Sequence, residues 1–208
     1  MNDQYKNSYK ATAKELVSLS VYNVGYQLCD AGYQWGPGIR DHYLIHYVIS
    51  GKGTYEVNNE THSLSAGDAF LVYPNTEIIY RADTKTPWEY AWVGFTGSDA
   101  SMILKATDFS PEKPIIRETP HGSDIHRQIL HIYDARGNEF EHAVEMTGRL
   151  YTMLAMFLHG ASHTTEQNSA NSYVQKGIEY ISSNYSYAIT VEDIACLLYT
   201  SPSPRDKR

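Results

Sequence analysis

His42 and His46 stand four residues apart in "DHYLIHYVIS" (41–50), and histidine is the residue from which metal centres and acid–base catalysts are most often built. The segment alternates and carries β-branched and aromatic residues, so it reads as a strand. His42, Leu44, His46 and Val48 then share one face, with Tyr43, Ile45, Tyr47 and Ile49 on the other. Four strand residues span roughly 13 Å, too far for both imidazoles to lie about 2 Å from one ion. "PNTEIIY" (74–80) holds no histidine to complete a set, and His62 precedes a turn without partners at ligand spacing. No Ser/His/Asp or Cys/His grouping stands out, and Cys29 alone reads as a small buried hydrophobe. The two histidines therefore read as wall residues, and the chain as a binder.

The elements that carry these residues follow from the pattern along the chain. From about Ser18 to Phe95, short alternating segments are punctuated by turn signals: "GKG" (51–53), Asn58-Asn59, Ala66-Gly67-Asp68 and Pro74-Asn75. "WEYAWVGFTG" (88–97) alternates as well, setting Trp88, Tyr90 and Trp92 against Glu89, Ala91 and Val93. Short strands with frequent turns and no helix between them predict a barrel or sandwich. The period then changes. Residues 98–106 and 123–136 read as helices, the second with Ile125, Ile129 and Ile132 on one face. Between Asn138 and His163, Phe140, Ala143, Thr147, Leu150, Leu154, Phe157 and Ala161 recur at alternating steps of three and four, widened by Val144, Tyr151 and Leu158. Such a stripe must be buried, against the chain's own barrel or against a second copy.

"HTTEQNSANS" (163–172) is polar and reads as a linker. Beyond it, Ser172 with Gln175 makes a capping box before a stripe of Val174, Ile178, Ile181 and Tyr185. Thr190 with Asp193 starts a second helix, so a helix-turn-helix is beginning.

At 208 residues there is room for one good-sized domain with a helical appendage, and 42% hydrophobic with 20% charged content describes a globular chain. No apolar run approaches the ~18 residues that cross a bilayer, and "MNDQYKNSYK" lacks the apolar core of a signal peptide. Two cysteines, Cys29 and Cys196, offer no disulfide framework, and a reducing cytoplasm fits that usage. The net charge is −7; the last thirteen residues set Arg205, Lys207 and Arg208 against Asp206, so residues 1–195 carry −9. Such a chain has no general attraction to nucleic acid.

"DHYLIHYVISGKGTYEV" (41–57), "HSLSAGDAFLVYPNTEIIYRAD" (62–83), "PWEYAWVGF" (87–95) and "YVQKGIEYISSNYSYAITVEDIA" (173–195), taken in order, resemble the sugar-sensing branch of AraC-type transcription regulators. The resemblance covers nearly all of residues 18–195. It implies an α+β fold: a cupin-like β-barrel that binds a small effector over 18–97, after an N-terminal arm (1–17). A helical dimerisation segment (98–163) and linker (164–171) would follow, then the start of a helix-turn-helix domain (172–195). "CLLYTSPSPRD" (196–206) resembles instead the translation of a sequencing-library adapter, and Pro202 and Pro204 end any helix there. On that reading 196–208 is an adapter-derived tail on a truncated regulator.

Cupin-like barrels also host metal-dependent sugar-modifying enzymes. Their metal set needs two nearby histidines, a following glutamate and a later histidine, which this sequence lacks. The expectation is a sensor and not an enzyme, with no metal or other cofactor. A free-standing carbohydrate-binding protein has no reason to begin the helix pair at 172–195. A sugar calls for a flat apolar face and for hydrogen-bonding groups, which 18 tyrosines and three tryptophans supply. By its aligned strands the resemblance places Trp92, Tyr80 and Tyr90 at the effector, with Trp35 and Arg40 as further contacts. Trp92 would stack, the two phenols would hydrogen-bond, and Arg40 would grip a hydroxyl or an acidic group. It implies a homodimer through Phe140, Leu150, Leu154 and Phe157. Promoter DNA would be met only through the complete DNA-binding domain, and no membrane is involved.

Overall fold

A computed structural model of the chain describes residues 5–11, 16–162, 177–178, 180–182, 184 and 187–198. A polar strand β1 (Lys6–Lys10) precedes the alternating half, which forms eight strands: β2 (Ser20–Leu28), β3 (Gln34–Ile39), β4 (Tyr43–Ser50), β5 (Lys52–Val57), β6 (Glu60–Ser65), β7 (Ala69–Val72), β8 (Glu77–Ala82) and β9 (Glu89–Thr96). Helix α1 (Ala100–Lys105), a short β10 (Ile115–Ile116), α2 (Gly122–Asp134) and α3 (Phe140–His159) follow. The strands pair antiparallel in two sheets, ordered β1-β2-β9-β4-β7-β10 and β3-β8-β5-β6. The turns lie where the sequence puts them. Gly51 has φ 73°, and Asn58 and Asn59 have φ 54° and 62°, the left-handed pair of a tight β5–β6 hairpin.

The α+β order is as expected, but the β part is a two-sheet sandwich and not one closed barrel. The edges of the six-stranded sheet are taken by β1 on β2 and by β10 on β7, so no ladder passes into the second sheet there. β1 is a polar strand, "KNSYK", with alternating exposed positions, and hydrophobic periodicity does not reveal such an edge strand.

Both faces of the central sheet are buried, and this decides where a site can form. On one face Ile45, Ala91, Val93 and Phe95 join Ile125, Ile129 and Ile132 of α2 and Leu150, Leu154 and Phe157 of α3. On the other, Leu44, Val48, Phe70, Trp88, Tyr90 and Trp92 meet Tyr55, Ile78 and Tyr80 of the smaller sheet. Period-2 alternation along β4 and β9 thus assigns each side chain to a helix-side core or an inter-sheet core.

The α3 stripe, which the sequence leaves open between the chain's own barrel and a second copy, divides. Leu150, Leu154 and Phe157 are buried in the chain's own helix-side core, as α3 crosses α2 and β2. Phe140 lies 59% exposed, with Val144, Tyr151 and Leu158 also outward.

The chain separates into two compact units, residues 1–163 and 164–208. In the second unit the described residues at 177–184 are helical, and α4 runs Val191–Leu198. Its expected capping box is formed. Thr190 Oγ1 donates to Asp193 Oδ2 at 2.8 Å, and the Asp193 amide donates to Thr190 Oγ1 at 3.2 Å. The Thr190 amide, donating to Asp193 Oδ2 at 2.9 Å, and then the Thr190 hydroxyl hold the Asp193 carboxyl below its usual range. Helix α4 continues three residues past Ala195, as its residue range shows. The expected Ser172–Gln175 box, the linker and the tail from 199 lie outside the described residues.

Candidate ligand-binding site

A cavity of about 240 Å³ opens from the inter-sheet core between β3, β4, β8 and β9 and is walled on one side by β1 and β2. It gathers all five residues that the sequence singles out: Trp35, Arg40, Tyr80, Tyr90 and Trp92. Strand alternation explains the convergence. Tyr90 and Trp92 occupy alternate positions of β9 on the inter-sheet face, and Tyr80 faces them from β8.

The aromatic rings form a frame. Trp35 stacks on Tyr80 with centroids 5.3 Å apart and planes 12° apart, while Tyr90 meets Trp92 edge-on at 5.8 Å. The Arg40 guanidinium lies 3.8 Å above the Trp35 ring and donates to Tyr80 Oη at 3.5 Å. Tyr90 Oη donates to Gln27 Oε1 at 3.5 Å. Both phenol bonds are at the long limit of a hydrogen bond, so a ligand hydroxyl can replace or bridge them at little cost.

The strands also bring residues that the sequence does not single out as contacts. His46 reads as wall in the sequence, yet it lines the cavity. Its ring is almost fully buried, stacked on Phe70 at 4.4 Å with an edge contact to Tyr90 at 5.1 Å. Its Nδ1 has no hydrogen-bond partner. The signal is present, since His46 shares the inward face of β4 with Leu44 and Val48, but alternation does not say that a cavity waits there. Lys6, Lys10, Asn23 and Gln27, from β1 and β2, complete the wall. Lys6 Nζ sits 6.0 Å from the Trp92 ring centre. No spacing rule connects these residues to β9.

Electrostatics keep the aromatic frame neutral. Burial lifts the Tyr80 hydroxyl to about 12 against the opposing pull of Arg40, and burial raises Tyr90 further. Burial, reinforced by Arg40 and His42, holds the His46 imidazole well below its ordinary 6.5. These groups meet a ligand as neutral donors and acceptors across the physiological range.

The His46 shift has a consequence for stability. Below pH 6.5 the unfolded chain takes up a proton that folded His46 refuses, so stability rises with pH towards that value and falls as pH drops below it. His126, also depressed by burial, acts in the same direction. Urea titrations should show His46→Asn removing one proton's share of the acid slope, up to about 1.4 kcal/mol per pH unit, while the His126 share remains.

One glycine holds β1 over the site. A Cβ on Gly25 would lie 2.3 Å from the Asn7 carbonyl oxygen of β1 and 2.5 Å from Trp92 Cζ2. Gly25→Ala is therefore expected to lift β1 from β2. Hydrogen exchange of the 6–10 amides should quicken about tenfold or more, the equivalent of ~1.4 kcal/mol of local opening.

The comparisons with known proteins bear on this site directly. The AraC-like ligand binding domain family matches residues 20–154, a span from β2 through most of α3 that holds most of the cavity. The chain belongs to that family. The AraC-like match begins after β1, so Lys6 and Lys10 stand outside it. Among curated relatives, the Msm operon regulatory protein of Streptococcus mutans is 37% identical over 89% of this chain and 68% of its own length. The raffinose operon transcriptional regulatory protein RafR of Pediococcus pentosaceus is 29% identical over 94% of this chain and 72% of its own. The lactose operon transcription activator of Staphylococcus xylosus is 23% identical over 90% and 68%. These relatives are named as operon regulators, and this chain carries the ligand-binding domain of such a transcription regulator. Among solved structures, KdgF from Halomonas sp. matches 48% of this chain and 91% of its own at 20% identity, with a TM-score of 0.36. A Cupin 2 conserved barrel domain protein from Salinispora arenicola matches 49% and 83% at 12% identity, with a TM-score of 0.37.

No helix among the described residues is long and apolar enough to cross a membrane. Among the same residues no group of three His, Cys, Asp or Glu side chains lies close enough to hold a metal ion. His42 is engaged with Asp41 at 2.7 Å and Asn23 at 3.2 Å, and His62 faces Glu60.

Proposed function

We propose that this chain senses a sugar and dimerises as part of an AraC-type regulator, with the cavity as effector site. One observation carries the reading: four aromatic rings, Trp35, Tyr80, Tyr90 and Trp92, frame a cavity that also holds buried polar atoms without partners. Flat apolar faces beside unsatisfied donors and acceptors are what a sugar's C–H and O–H surfaces require. The names of the relatives, which include raffinose and lactose operon regulators, support the same class of ligand.

Trp92 stacks on the ring, and the Tyr80 and Tyr90 hydroxyls exchange their long internal bonds for ligand hydroxyls. Arg40, held flat on Trp35, donates to an oxygen. A handful of such bonds, each on the order of 1 kcal/mol, with stacking gives affinity in the micromolar to millimolar range. Lys6 and Lys10 sit in the same wall, so an occupied cavity holds β1 differently from an empty one. That difference shifts the population of arrangements of the attached DNA-binding part, with no chemical step. DNA contact belongs to the helix-turn-helix domain that the family implies; the sensing unit, in a chain of net charge −7, adds no attraction of its own.

Dimerisation is assigned to the outward edge of α3, where Phe140, Val144, Tyr151 and Leu158 are all at least 37% exposed. Val144, Tyr151 and Leu158 repeat at seven residues, the spacing of a helix seam. Sedimentation equilibrium should find a dimer at micromolar concentration, and Val144→Glu with Leu158→Glu should weaken it about a hundredfold or more.

Calorimetric titration of the chain with D-galactose, lactose and raffinose tests the sensing role. One site per chain is expected for at least one of them. Binding of none, or stoichiometric iron, manganese or zinc in the purified protein, would overturn the proposal in favour of a metal-dependent sugar-modifying enzyme.

A further inference from the structure

The cavity does not end at Arg40. A second cavity, of about 360 Å³, shares the walls Lys10, Asn23 and Arg40 with the first and extends to Tyr22, His42 and Asn75. The first, at about 240 Å³, falls below the roughly 300 Å³ at which small-molecule sites usually begin. We propose that the effector is an oligosaccharide, with its terminal ring among Trp35, Tyr80, Tyr90 and Trp92 and the next ring between Tyr22, His42 and Asn75. This rests on the sugar-sensing reading and deepens it.

The junction carries the argument. Asn23 and Arg40 wall both cavities, and each holds a buried polar atom without a hydrogen-bond partner, Asn23 Oδ1 and Arg40 Nε. One accepts and the other donates. A ligand that spans the two cavities passes both residues, whereas a ring confined to the first cavity leaves the junction unfilled.

The second cavity has the chemistry of a sugar subsite. The Tyr22 ring stacks on His42 at 4.0 Å, forming an aromatic platform, and Lys10 Nζ lies 5.1 Å from the Tyr22 ring centre. Asp41 and Asn75 add polar groups at its rim. Both sides are fixed in place. Asn23 Nδ2 and Asp41 Oδ1 hold His42 from its two ring nitrogens, at 3.2 and 2.7 Å. The Asn75 amide donates to the Arg40 carbonyl at 2.7 Å, which ties the turn bearing Asn75 to the junction. Gly94 beneath leaves the space, since a Cβ there would lie 2.6 Å from Asn23 Oδ1 and 2.8 Å from His42 Cδ2.

Calorimetry with D-galactose, lactose and raffinose on the wild-type chain, Tyr22→Ala and Asn75→Gly tests this. Glycine accepts the φ of 61° at position 75, so that variant removes the side chain without straining the turn. The expected result is that lactose or raffinose binds about tenfold or more tighter than galactose. Each variant should lower that oligosaccharide's affinity towards the galactose value and leave galactose within about twofold. Equal affinity for all three sugars would overturn the extension alone, as would a uniform loss in both variants. Failure of every sugar to bind would overturn the sugar reading itself, and this inference with it.

Discussion

Replacing Trp88 by alanine is expected to cost about 3–5 kcal/mol of folding stability, a large share of the roughly 5–15 kcal/mol that holds a domain of this kind together. Trp88 has no exposed surface. Its indole lies parallel to Phe70 at 6.0 Å and meets Tyr90 edge-on at 5.6 Å, in the inter-sheet core. It stands outside the residues that line the cavity, so its removal reaches the site through its ring neighbours Phe70, Tyr80 and Tyr90. The conservative change should behave differently. Trp88→Phe keeps an aromatic ring between Phe70 and Tyr90 and loses only volume, so about 1–2 kcal/mol is expected. Urea unfolding of both variants checks the pair; equal losses would show that a phenyl ring recovers none of the packing that the indole provides.

The second large effect is on binding. Trp92→Leu is expected to weaken the effector about 50-fold. The indole face buries on the order of 90 Å² of ligand C–H surface, worth ~2.3 kcal/mol at 25 cal/mol/Å². Leucine keeps an apolar group over Gly25, so the β2–β9 ladder and the neighbouring Tyr90 retain their packing. The loss should appear in the dissociation constant by calorimetry, with the urea midpoint little changed. A variant that binds as tightly as the wild type would place the sugar ring elsewhere in the cavity.

Much of the scaffold is legible in the order of residues alone. The faces of "HYLIHYVIS" and "WEYAWVGFTG" separate inter-sheet from helix-side residues as the two cores do, because a period of two on a sheet buried on both sides leaves one solution. The turns at Gly51 and Asn58-Asn59 are legible for a local reason, their left-handed backbone, and the Thr190–Asp193 box through side chains three residues apart. Trp35, Arg40, Tyr80, Tyr90 and Trp92 stand out together, and the fold brings them to one cavity.

What is not legible shares a cause. The α3 stripe shows that Leu150, Leu154 and Phe157 must be buried but not against what. α2 and β2 answer that, leaving Phe140, Val144, Tyr151 and Leu158 on the outer edge. β1 is invisible because a polar edge strand gains its stability from pairing with β2, a contact outside any local pattern.

Sequence by itself determined the alternation, the turns and the helix faces, since each depends on neighbours within a few positions, while the set of aromatic residues came from the family resemblance. Tertiary structure alone decided that two sheets meet without closing, that His46 faces a cavity, and that Asn23 and Arg40 wall two neighbouring cavities. Those features depend on which residues from distant strands arrive at the same place. Side-chain period limits that choice, and only the packing of the two sheets completes it.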